Sequence, residues 1–477
     1  MIPQKLLIFL ISLTFVSFAF SSDVNRLPNT LEYKLDLRID YGTKKLYGKC
    51  EITISNETNQ PIETVPILLY RLLSVKNVEN KNNVSLPFTQ KVISISGWEE
   101  IQVNFIEISL SKKLSPGEQS KIELEYEGYL FGYSAEGWRY VKDHIDKNFT
   151  IIRTDGFGYP IIGYPNERDM MKIAQEKYDY LINITIPNEM IAVTGGKLID
   201  QIKTNDETTF IFRSKKPSWR LDIAISDYEI FEKGENKVYY FASDSLGAQK
   251  VIKALQASFE LYTSWFGRLN NYQGFSVIEV PEGYSSQKDI TAIILSADNF
   301  KTSKEMHTIY HEMAHSWNVT NLDVQPCRFE SEGFAQFLQF LLLEKLDNKE
   351  NAVSEAAQRY LDRIRNTFNE KKEYQTIPIK DYGVHEMTDY SYTLGMVVFA
   401  ILYDLVGQDH FNKVIGSFYS ANDSKGATLD EFINHCLKLA PLDLKRFFDD
   451  WIYSTKGIKL VVDGKTFEEL IHYYKGN

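Results

Sequence analysis

The stretch His311-Glu312-Met313-Ala314-His315 is the part of the sequence that most constrains the fold around it. Residues four positions apart lie on the same face of an α-helix, so both imidazoles can point at one ion. Glu312 lies beside them, close enough to reach a water on that ion without binding the ion itself. The chain has only 8 His in 477 residues, and such a pattern arises by chance in roughly one chain of this kind in a hundred. The stretch therefore predicts a helix that carries a pair of metal ligands.

A catalytic Zn²⁺ site needs a third protein ligand and an open fourth position for water. The segment Ser331-Glu332-Gly333-Phe334-Ala335 begins or enters a second apolar helix. Glu332 is the candidate ligand, and Glu330, on a different helical face, is its rival. An alternative explanation for both glutamates is that acidic side chains are favoured near the start of a helix, whether or not a metal is bound. His307, one turn before His311, is interpreted as a helix-surface or supporting residue, because a fourth protein ligand would close the site.

Length and composition indicate a folded protein with two or three domains. Hydrophobic residues make up 43% and charged residues 25% of the 477 residues, which is ordinary for a soluble protein. The formal net charge of −11 argues against a nucleic-acid-binding protein, which would normally carry a basic face. The three cysteines, Cys50, Cys327 and Cys436, predict neither a disulfide framework nor a zinc knuckle, although one pair could bridge in an oxidising compartment.

The N-terminus has the features of a secretory signal. Lys5 precedes an apolar run, residues 6–20, which ends at the small residues Ser21 and Ser22. We expect residues 1–21 to be cleaved, which predicts a secreted or periplasmic protein. The alternative is a membrane anchor retained at this end, although the run is short for a bilayer crossing. No later stretch is expected to be long and apolar enough to span a membrane, so no stable span is predicted after cleavage.

The hydrophobic period changes near the middle of the chain. Apolar residues alternate with polar ones in residues 31–39 and again in 182–186, which predicts a β domain, sandwich-like or an open curved sheet, over residues 22–235. A short β patch is expected at 274–280, and helical spacing dominates after residue 243. The expected helices are 246–265, 303–318, 329–346, 352–370, 391–405 and 429–439. The predicted class is α+β and multidomain, with a linker at 232–237, a mainly helical domain at 236–460 and a C-terminal tail at 461–477.

The motif His311-Glu-Met-Ala-His315-Ser-Trp, followed by Glu332-Gly-Phe-Ala, resembles the membrane alanyl aminopeptidase family of gluzincins. That family includes aminopeptidase N-like enzymes and a leukotriene epoxide hydrolase. Sixteen residues separate His315 from Glu332, two fewer than is usual in the family. The resemblance implies that Glu332, rather than Glu330, is the third zinc ligand, and that the helical half is a thermolysin-like zinc peptidase domain. His315-Ser-Trp-Asn-Val is also similar to the glycyl aminopeptidases, a neighbouring gluzincin family.

The likeness continues downstream of the metal motif. Tyr392-Thr-Leu-Gly395 resembles the family's Tyr-x-x-Gly and lies sixty residues after Glu332. The resemblance implies that the Tyr392 phenol steadies the oxyanion of a tetrahedral intermediate. An ordinary helical tyrosine is the simpler explanation in a chain with 29 Tyr, and Tyr390 is the closest competitor for the role.

The sequence departs from the family at the segment that binds the substrate's amino group. Family members carry Gly-x-Met-Glu-Asn upstream of the zinc helix, and the matching segment here is Tyr284-Ser-Ser-Gln287-Lys288. Gln287 stands in place of the glutamate and would offer an ammonium group one hydrogen bond but no charge, while Lys288 would repel it. Glu282 and Asp289 are alternative ligands for the amino group. Another alternative is that residues 284–288 form a loop at the rim of the active site without a binding role.

These features together predict an exported zinc-dependent peptidase, aminopeptidase-like, acting on a peptide or small amide substrate. Glu312 would be the general base and Tyr392 the oxyanion donor, with His311, His315 and Glu332 as metal ligands. A different hydrolase on the same site, such as a narrow endopeptidase or an epoxide hydrolase, is the first alternative. The second is a zinc-stabilised binding module without catalysis, against which the presence of Glu312 argues.

Overall fold

The computed structural model describes residues 27–476 except residues 140, 174–175, 302–304, 324–326 and 386. The predicted signal segment, residues 1–21, lies outside the described residues. In the described chain, strands dominate up to Ser226 and helices dominate after Ser245. This arrangement confirms the predicted α+β class, with a β-rich N-terminal domain followed by a mainly helical one.

The N-terminal domain is built from three sheets. The strands are β1 (Asn29–Asp40), β2 (Lys45–Ser55), β3 (Ile62–Tyr70), β4 (Leu73–Asn80), β5 (Phe88–Ile95), β6 (Trp98–Leu114), β7 (Gln119–Gly128), β8 (Thr150–Arg153), β9 (Ile161–Ile162), β10 (Asp179–Pro187), β11 (Ile191–Val193), β12 (Lys197–Lys203), β13 (Glu207–Arg213) and β14 (Asp222–Ser226). They form a seven-stranded sheet in the order β12-β13-β10-β1-β2-β7-β4, a four-stranded sheet β5-β6-β3-β9 and a three-stranded sheet β11-β14-β8. A short helix, α1 (Glu167–Ile173), lies between β9 and β10 along the chain.

Side-chain alternation explains why the large sheet forms where the sequence predicted strands. β1 and β10 pair in parallel, with Leu35 opposite Ile182 and Leu37 opposite Ile184. These four side chains are buried, whereas the residues between them along each strand are exposed or half-buried. One face of the sheet therefore packs into the core and the other meets water.

The second domain contains a five-stranded sheet and a cluster of helices. The strands of the sheet are β15 (Glu229–Lys233), β16 (Asn236–Tyr240), β17 (Ser276–Val280), β18 (Gln287–Lys288) and β19 (Ala292–Ser296). Their order in the sheet is β15-β16-β17-β19-β18. The helices are α2 (Ser245–Phe266), α3 (His307–Ala314), α4 (Phe334–Leu346), α5 (Ala352–Glu370), α6 (Thr388–Val406), α7 (Gln408–Asn422), α8 (Leu429–Leu439), α9 (Lys445–Phe448), α10 (Lys456–Val462) and α11 (Phe467–Lys475).

Two segments near the predicted domain limits have regular structure. Residues 232–237, expected to be a linker, include the end of β15, a turn at 234–235 and the start of β16, and β16 continues the sheet by pairing with β17. Charged composition marked this turn, but a turn within a sheet has the same composition as a linker. The expected C-terminal tail, 461–477, includes α11, which packs against α5 and α6 and buries Leu470.

The helices α7, α9, α10 and α11 fall outside the expected helical segments, and α6 departs from a second expectation. The helix α7 was missed, although its buried residues Phe411, Val414, Ile415 and Phe418 have helical spacing. The helix α6 is long and apolar enough to cross a membrane, so the expectation that no later stretch has this property is wrong. Most of α6 is buried inside the protein, where it packs against α4, α5, α7 and α11. It is the central helix of the domain core.

Candidate metal centre and active site

The helix α3 is oriented by its apolar side chains. Ile309, Tyr310 and Met313 are buried in the core that α3 shares with α2 and α4. The Tyr310 carbonyl accepts a hydrogen bond from the hydroxyl of Tyr262 on α2, at 3.1 Å. A 3₁₀ turn, His315–Trp317, continues α3. Because one face of α3 is packed in this way, His311 and His315 project together from the other face.

Three side-chain atoms converge beside α3. The Nε2 atoms of His311 and His315 are 3.2 Å apart, and Glu332 Oε2 lies 3.3 Å from the first and 3.4 Å from the second. These separations form a nearly equilateral triangle. In a tetrahedral site with metal–ligand bonds of 2.0–2.1 Å, ligand atoms lie about 3.3 Å apart. The three residues therefore fit a zinc ion, with the fourth corner of the tetrahedron available for another ligand.

Glu332 reaches this position from a π-helical turn, Phe329–Gly333, that leads into α4. The turn is anchored by Phe329, whose buried ring stacks on Phe399 of α6 with centroids 4.7 Å apart. Glu332 is itself buried. Burial alone would raise the pKa of its carboxyl group, but His315 and Arg328 outweigh burial and hold that pKa well below its usual range. Glu332 is thus an ionised carboxylate, the form that a metal binds.

The two rival ligands lie elsewhere. Glu330 accepts a hydrogen bond from the side-chain amide of Asn321 and lies 3.9 Å from the thiol of Cys327. Burial raises the pKa of Glu330 to about 7. His307 is exposed in the first turn of α3. Among the described residues, the group whose atoms converge for metal binding consists of His311, His315 and Glu332.

The far side of the His315 imidazole meets a side-chain amide. Asn318 contacts His315 Nδ1 at 2.9 Å and also donates to Ser331 Oγ at 3.2 Å. An outer contact of this kind orients a metal-binding histidine and selects the tautomer that leaves Nε2 free for the ion. Burial acts to lower the pKa of His311, but the neighbouring carboxylates of Glu332 and Glu312 outweigh burial and raise that pKa.

Glu312 and Tyr392 border the same centre. Glu312 is 8% exposed, and its charge acts on His311. The Tyr392 ring lies parallel to the His311 ring, with an interplanar angle of 5° and centroids 6.3 Å apart. Burial, and then Glu332, raise the pKa of Tyr392 well above its usual range, so the phenol keeps its proton. The competitor Tyr390 packs instead against Phe368 and Tyr374.

Sequence reasoning did not anticipate Arg328. Its guanidinium donates to Glu332 Oε1 and lies 5.4 Å from the centroid of the Tyr392 ring. The i,i+4 spacing of Arg328 and Glu332 was available in the sequence, since residues four apart on a helix are neighbours. The sequence alone did not show that the π-helical turn Phe329–Gly333 begins directly after Arg328.

Gln287 does not lie free at the rim of the site. It belongs to the edge strand β18, and its side chain joins a cluster on the N-terminal domain. Gln287 Oε1 accepts from Arg220, and its Nε2 donates to Asp155 Oδ2 at 3.3 Å. Arg220 also pairs with Asp155 Oδ2, at 2.9 Å, and with Asp222. Sequence reasoning missed this cluster because its members lie far apart along the chain.

The other residues proposed for amine binding have different contacts. Asp289 is buried and accepts hydrogen bonds from the backbone N–H groups of Thr291 and Ala292. Glu282 is exposed and pairs with Lys301 at 2.5 Å. Burial, followed by the charge of Lys216, lowers the pKa of Lys288 to about 8. Both carboxylates are therefore committed to other partners.

Comparison with known proteins identifies the helical domain. Residues 287–451 match the family model described as the peptidase family M1 domain. Aminopeptidase N of Haemophilus influenzae is 27% identical over 180 residues, which cover 35% of this chain and 19% of that protein. Aminopeptidase A of Gloydius brevicauda is 20% identical over 466 residues, which cover 89% of this chain and 46% of that protein. The chain thus spans less than half the length of either relative.

Solved structures share the two-domain fold. An M1 zinc metallopeptidase of Deinococcus radiodurans, a mutant bound to a Tyr-Ser-Ala substrate, superimposes with a TM-score of 0.65 at 17% identity, covering 90% of this chain and 94% of that one. A mutant two-domain M1 zinc metallopeptidase bound to L-arginine gives a TM-score of 0.64 at 16% identity, covering 93% and 95%. Residues 287–451 thus match a peptidase family M1 domain, and the relatives and solved structures together support the predicted likeness to the aminopeptidase N-like gluzincins.

Proposed function

We propose that this protein is a zinc-dependent peptidase, aminopeptidase-like, in which Glu312 is the general base. The observation that carries the proposal is the triangle of His311 Nε2, His315 Nε2 and Glu332 Oε2, with sides of 3.2–3.4 Å. It has the dimensions of three ligands around a tetrahedral zinc ion and leaves one corner open. A purely structural zinc site would fill that corner with a fourth protein ligand.

The reaction would use Glu312 to move protons. When bound, zinc supplies a Lewis acid that polarises the scissile carbonyl and makes a water easier to deprotonate. Glu312, buried beside the ligands, accepts the proton of the attacking water. The same carboxylic acid then donates that proton to the leaving amine, which could not depart as an anion at neutral pH.

Tyr392 would stabilise the charge that develops on the carbonyl oxygen. Its pKa lies well above the usual value, so its hydroxyl remains a hydrogen-bond donor through the working pH range. The ring is held parallel to that of His311, which presets the phenol near the ligands. A donor placed in advance does not have to reorganise when the oxyanion forms.

Asp155 is our candidate for binding the substrate's amino group. Its contacts with Gln287 and Arg220 both use Oδ2, and its side chain is 22% exposed. Although burial tends to raise its pKa, the charges of Arg220 and Arg153, with the hydrogen bonds from Arg220 and Gln287, together outweigh burial and lower it, so Asp155 remains ionised. In this arrangement Gln287 does not bind the ammonium group but orients the carboxylate that does. Export through the N-terminal segment is part of the same proposal and rests on the sequence pattern of residues 5–22.

The decisive experiment compares substrates and one variant. Purified protein is assayed with aminoacyl fluorogenic amides, their N-acetylated forms and internally quenched peptides, each with and without a chelator. We expect chelator-sensitive cleavage of the free-amine substrates. We expect Glu312→Gln to bind zinc like the unsubstituted protein but to lose about 10²–10⁴-fold in kcat.

The matched control is Glu305→Gln, which removes an exposed carboxylate that pairs with Lys349 at the surface. This control should leave the rate unchanged. Cleavage of the acetylated or quenched peptides alone would favour the narrow endopeptidase alternative, and full activity of Glu312→Gln would contradict the proposed mechanism.

A further inference from the structure

Arg328 lies between the third ligand and the proposed oxyanion donor. Its guanidinium donates to Glu332 Oε1, and its central carbon is 5.4 Å from the centroid of the Tyr392 ring. We propose that Arg328 is a positioning residue, which restricts Glu332 to binding the metal through one oxygen. This inference rests on the proposed function, because it concerns the zinc ligand of the same site.

The two carboxylate oxygens of Glu332 have separate partners. Oε2 faces the Nε2 atoms of His311 and His315 at 3.3 and 3.4 Å. Oε1 is engaged by Arg328 through a charge-assisted hydrogen bond, one of the stronger kinds in proteins. A carboxylate can turn to present both oxygens to the ion only if this hydrogen bond is weakened or lost, so binding through Oε2 alone is favoured. Arg328 therefore keeps the coordination number low and leaves room for water and substrate.

The charge of Arg328 cannot be explained by attraction to the metal. A guanidinium repels a divalent cation, so this charge alone would weaken zinc binding. Orientation acts in the opposite sense, because a preset Glu332 loses less freedom when it binds the ion. Loss of partners that orient metal ligands typically costs about 10–100-fold in metal affinity. We therefore expect orientation to outweigh repulsion.

The backbone at Arg328 suggests which variants will fold. Arg328 adopts the left-handed conformation, with φ 57° and ψ 13°, which is unfavourable for most side chains but accepted readily by asparagine. Arg328→Asn removes the guanidinium without adding backbone strain. Arg328→Lys keeps the positive charge but replaces the planar fork by a single ammonium group. The two variants separate the loss of geometry from the loss of charge.

A matched control is available on α5. The guanidinium of Arg359 lies 5.7 Å from the Tyr360 ring centroid and 5.9 Å from that of Phe340, so it also stacks on aromatic rings. It takes no part in the metal-ligand group. Arg359→Asn removes a comparable contact from the same domain, away from the ligands.

The test measures zinc affinity by competition with a chromogenic chelator, and the visible spectrum of the cobalt-substituted protein. We expect Arg328→Asn to raise the zinc Kd about 10–100-fold, and Arg328→Lys to have an intermediate effect. The cobalt absorption should weaken in Arg328→Asn, because four-coordinate cobalt absorbs more strongly than cobalt with an added carboxylate oxygen. Arg359→Asn should change neither quantity.

The outcomes distinguish this inference from the proposed function. A zinc Kd for Arg328→Asn within twofold of the unsubstituted value, or below it, would overturn the positioning role even if the protein is an active peptidase. An unsubstituted protein that binds zinc but cleaves none of the substrates would overturn the proposed function, while the raised Kd would still support the role of Arg328. An unsubstituted protein that takes up no zinc would overturn both.

Discussion

The close approach of Gly333 and Gly395 leads to a quantitative prediction. A Cβ atom on Gly395 would lie 2.7 Å from the Cα of Gly333, and the reverse holds for a Cβ on Gly333. Glu332 immediately precedes one glycine, and Tyr392 lies one helical turn before the other. The contact between the two glycines therefore sets the distance between the proposed third metal ligand and the proposed oxyanion donor.

The perturbation is Gly395→Ala. Ordinary van der Waals contact begins at 3.4 Å, so the two helical segments would have to separate by about 0.7 Å or more. Overpacking of this kind costs about 1–3 kcal/mol of stability. A displacement near 1 Å in a catalytic group costs about 10²-fold in rate. We expect kcat/KM to fall by that order in molecules that remain folded.

The assay combines denaturant unfolding with kinetics of the folded protein at saturating zinc. Gly416→Ala is the matched control, because its new Cβ would lie 2.7 Å from the Phe266 carbonyl oxygen at the contact between α7 and α2. We expect the control to be destabilised by a similar amount but to retain the kcat/KM of the unsubstituted protein. If Gly395→Ala retained kcat/KM as the control does, the contact would not set the geometry of the site.

Three further predictions follow from the same structure. Tyr392→Phe should lower kcat about 10²–10³-fold with little change in KM, as measured by steady-state kinetics, because the lost donor acts on the developing oxyanion; an effect on KM alone would contradict this role. Chelation followed by dialysis should abolish hydrolysis, and added zinc should restore it; activity that survives verified zinc removal would contradict a metal-dependent reaction. Burial raises the pKa of Glu279 to about 8. Between about pH 4.5 and 8, the Glu279 carboxyl group is therefore protonated in the folded state but ionised in the unfolded state. The free energy of unfolding consequently falls as the pH rises through this range. Glutamine cannot ionise, so the stability of Glu279→Gln relative to the unsubstituted protein should rise by about a few kcal/mol between pH 5 and pH 8, as measured by denaturant unfolding. If the free energies of unfolding of the two proteins changed in parallel with pH, the prediction would be refuted.

Local pattern was sufficient for much of the fold. Alternating residues in β1 and β10 indicated strands with one buried face, and the structure places their side chains in that way. The hydrophobic spacing of α2, α5, α6 and α8 likewise predicted helices close to those observed. Such patterns succeed because the period of side chains along a strand or helix is a property of the backbone itself.

The hairpin of β15 and β16 depended on contacts that local pattern does not contain. The turn at residues 234–235 has the composition of a linker, yet β16 pairs in parallel with β17, whose first residue is forty residues further along. A turn and a linker are both polar and exposed, so only the distant pairing distinguishes them. The assembled sheet therefore decided that these residues are a turn.

The candidate site divides in the same way. The sequence by itself determined that His311, Glu312 and His315 lie together, because four residues make about one turn of any α-helix. Only the tertiary structure decided that Glu332 rather than Glu330 faces them, that Arg328 engages the free oxygen of Glu332, and that Gln287 joins Arg220 and Asp155. Apart from the i,i+4 pair of Arg328 and Glu332, these contacts join residues far apart along the chain, and their geometry comes from how the packed core sets helices and sheets against one another.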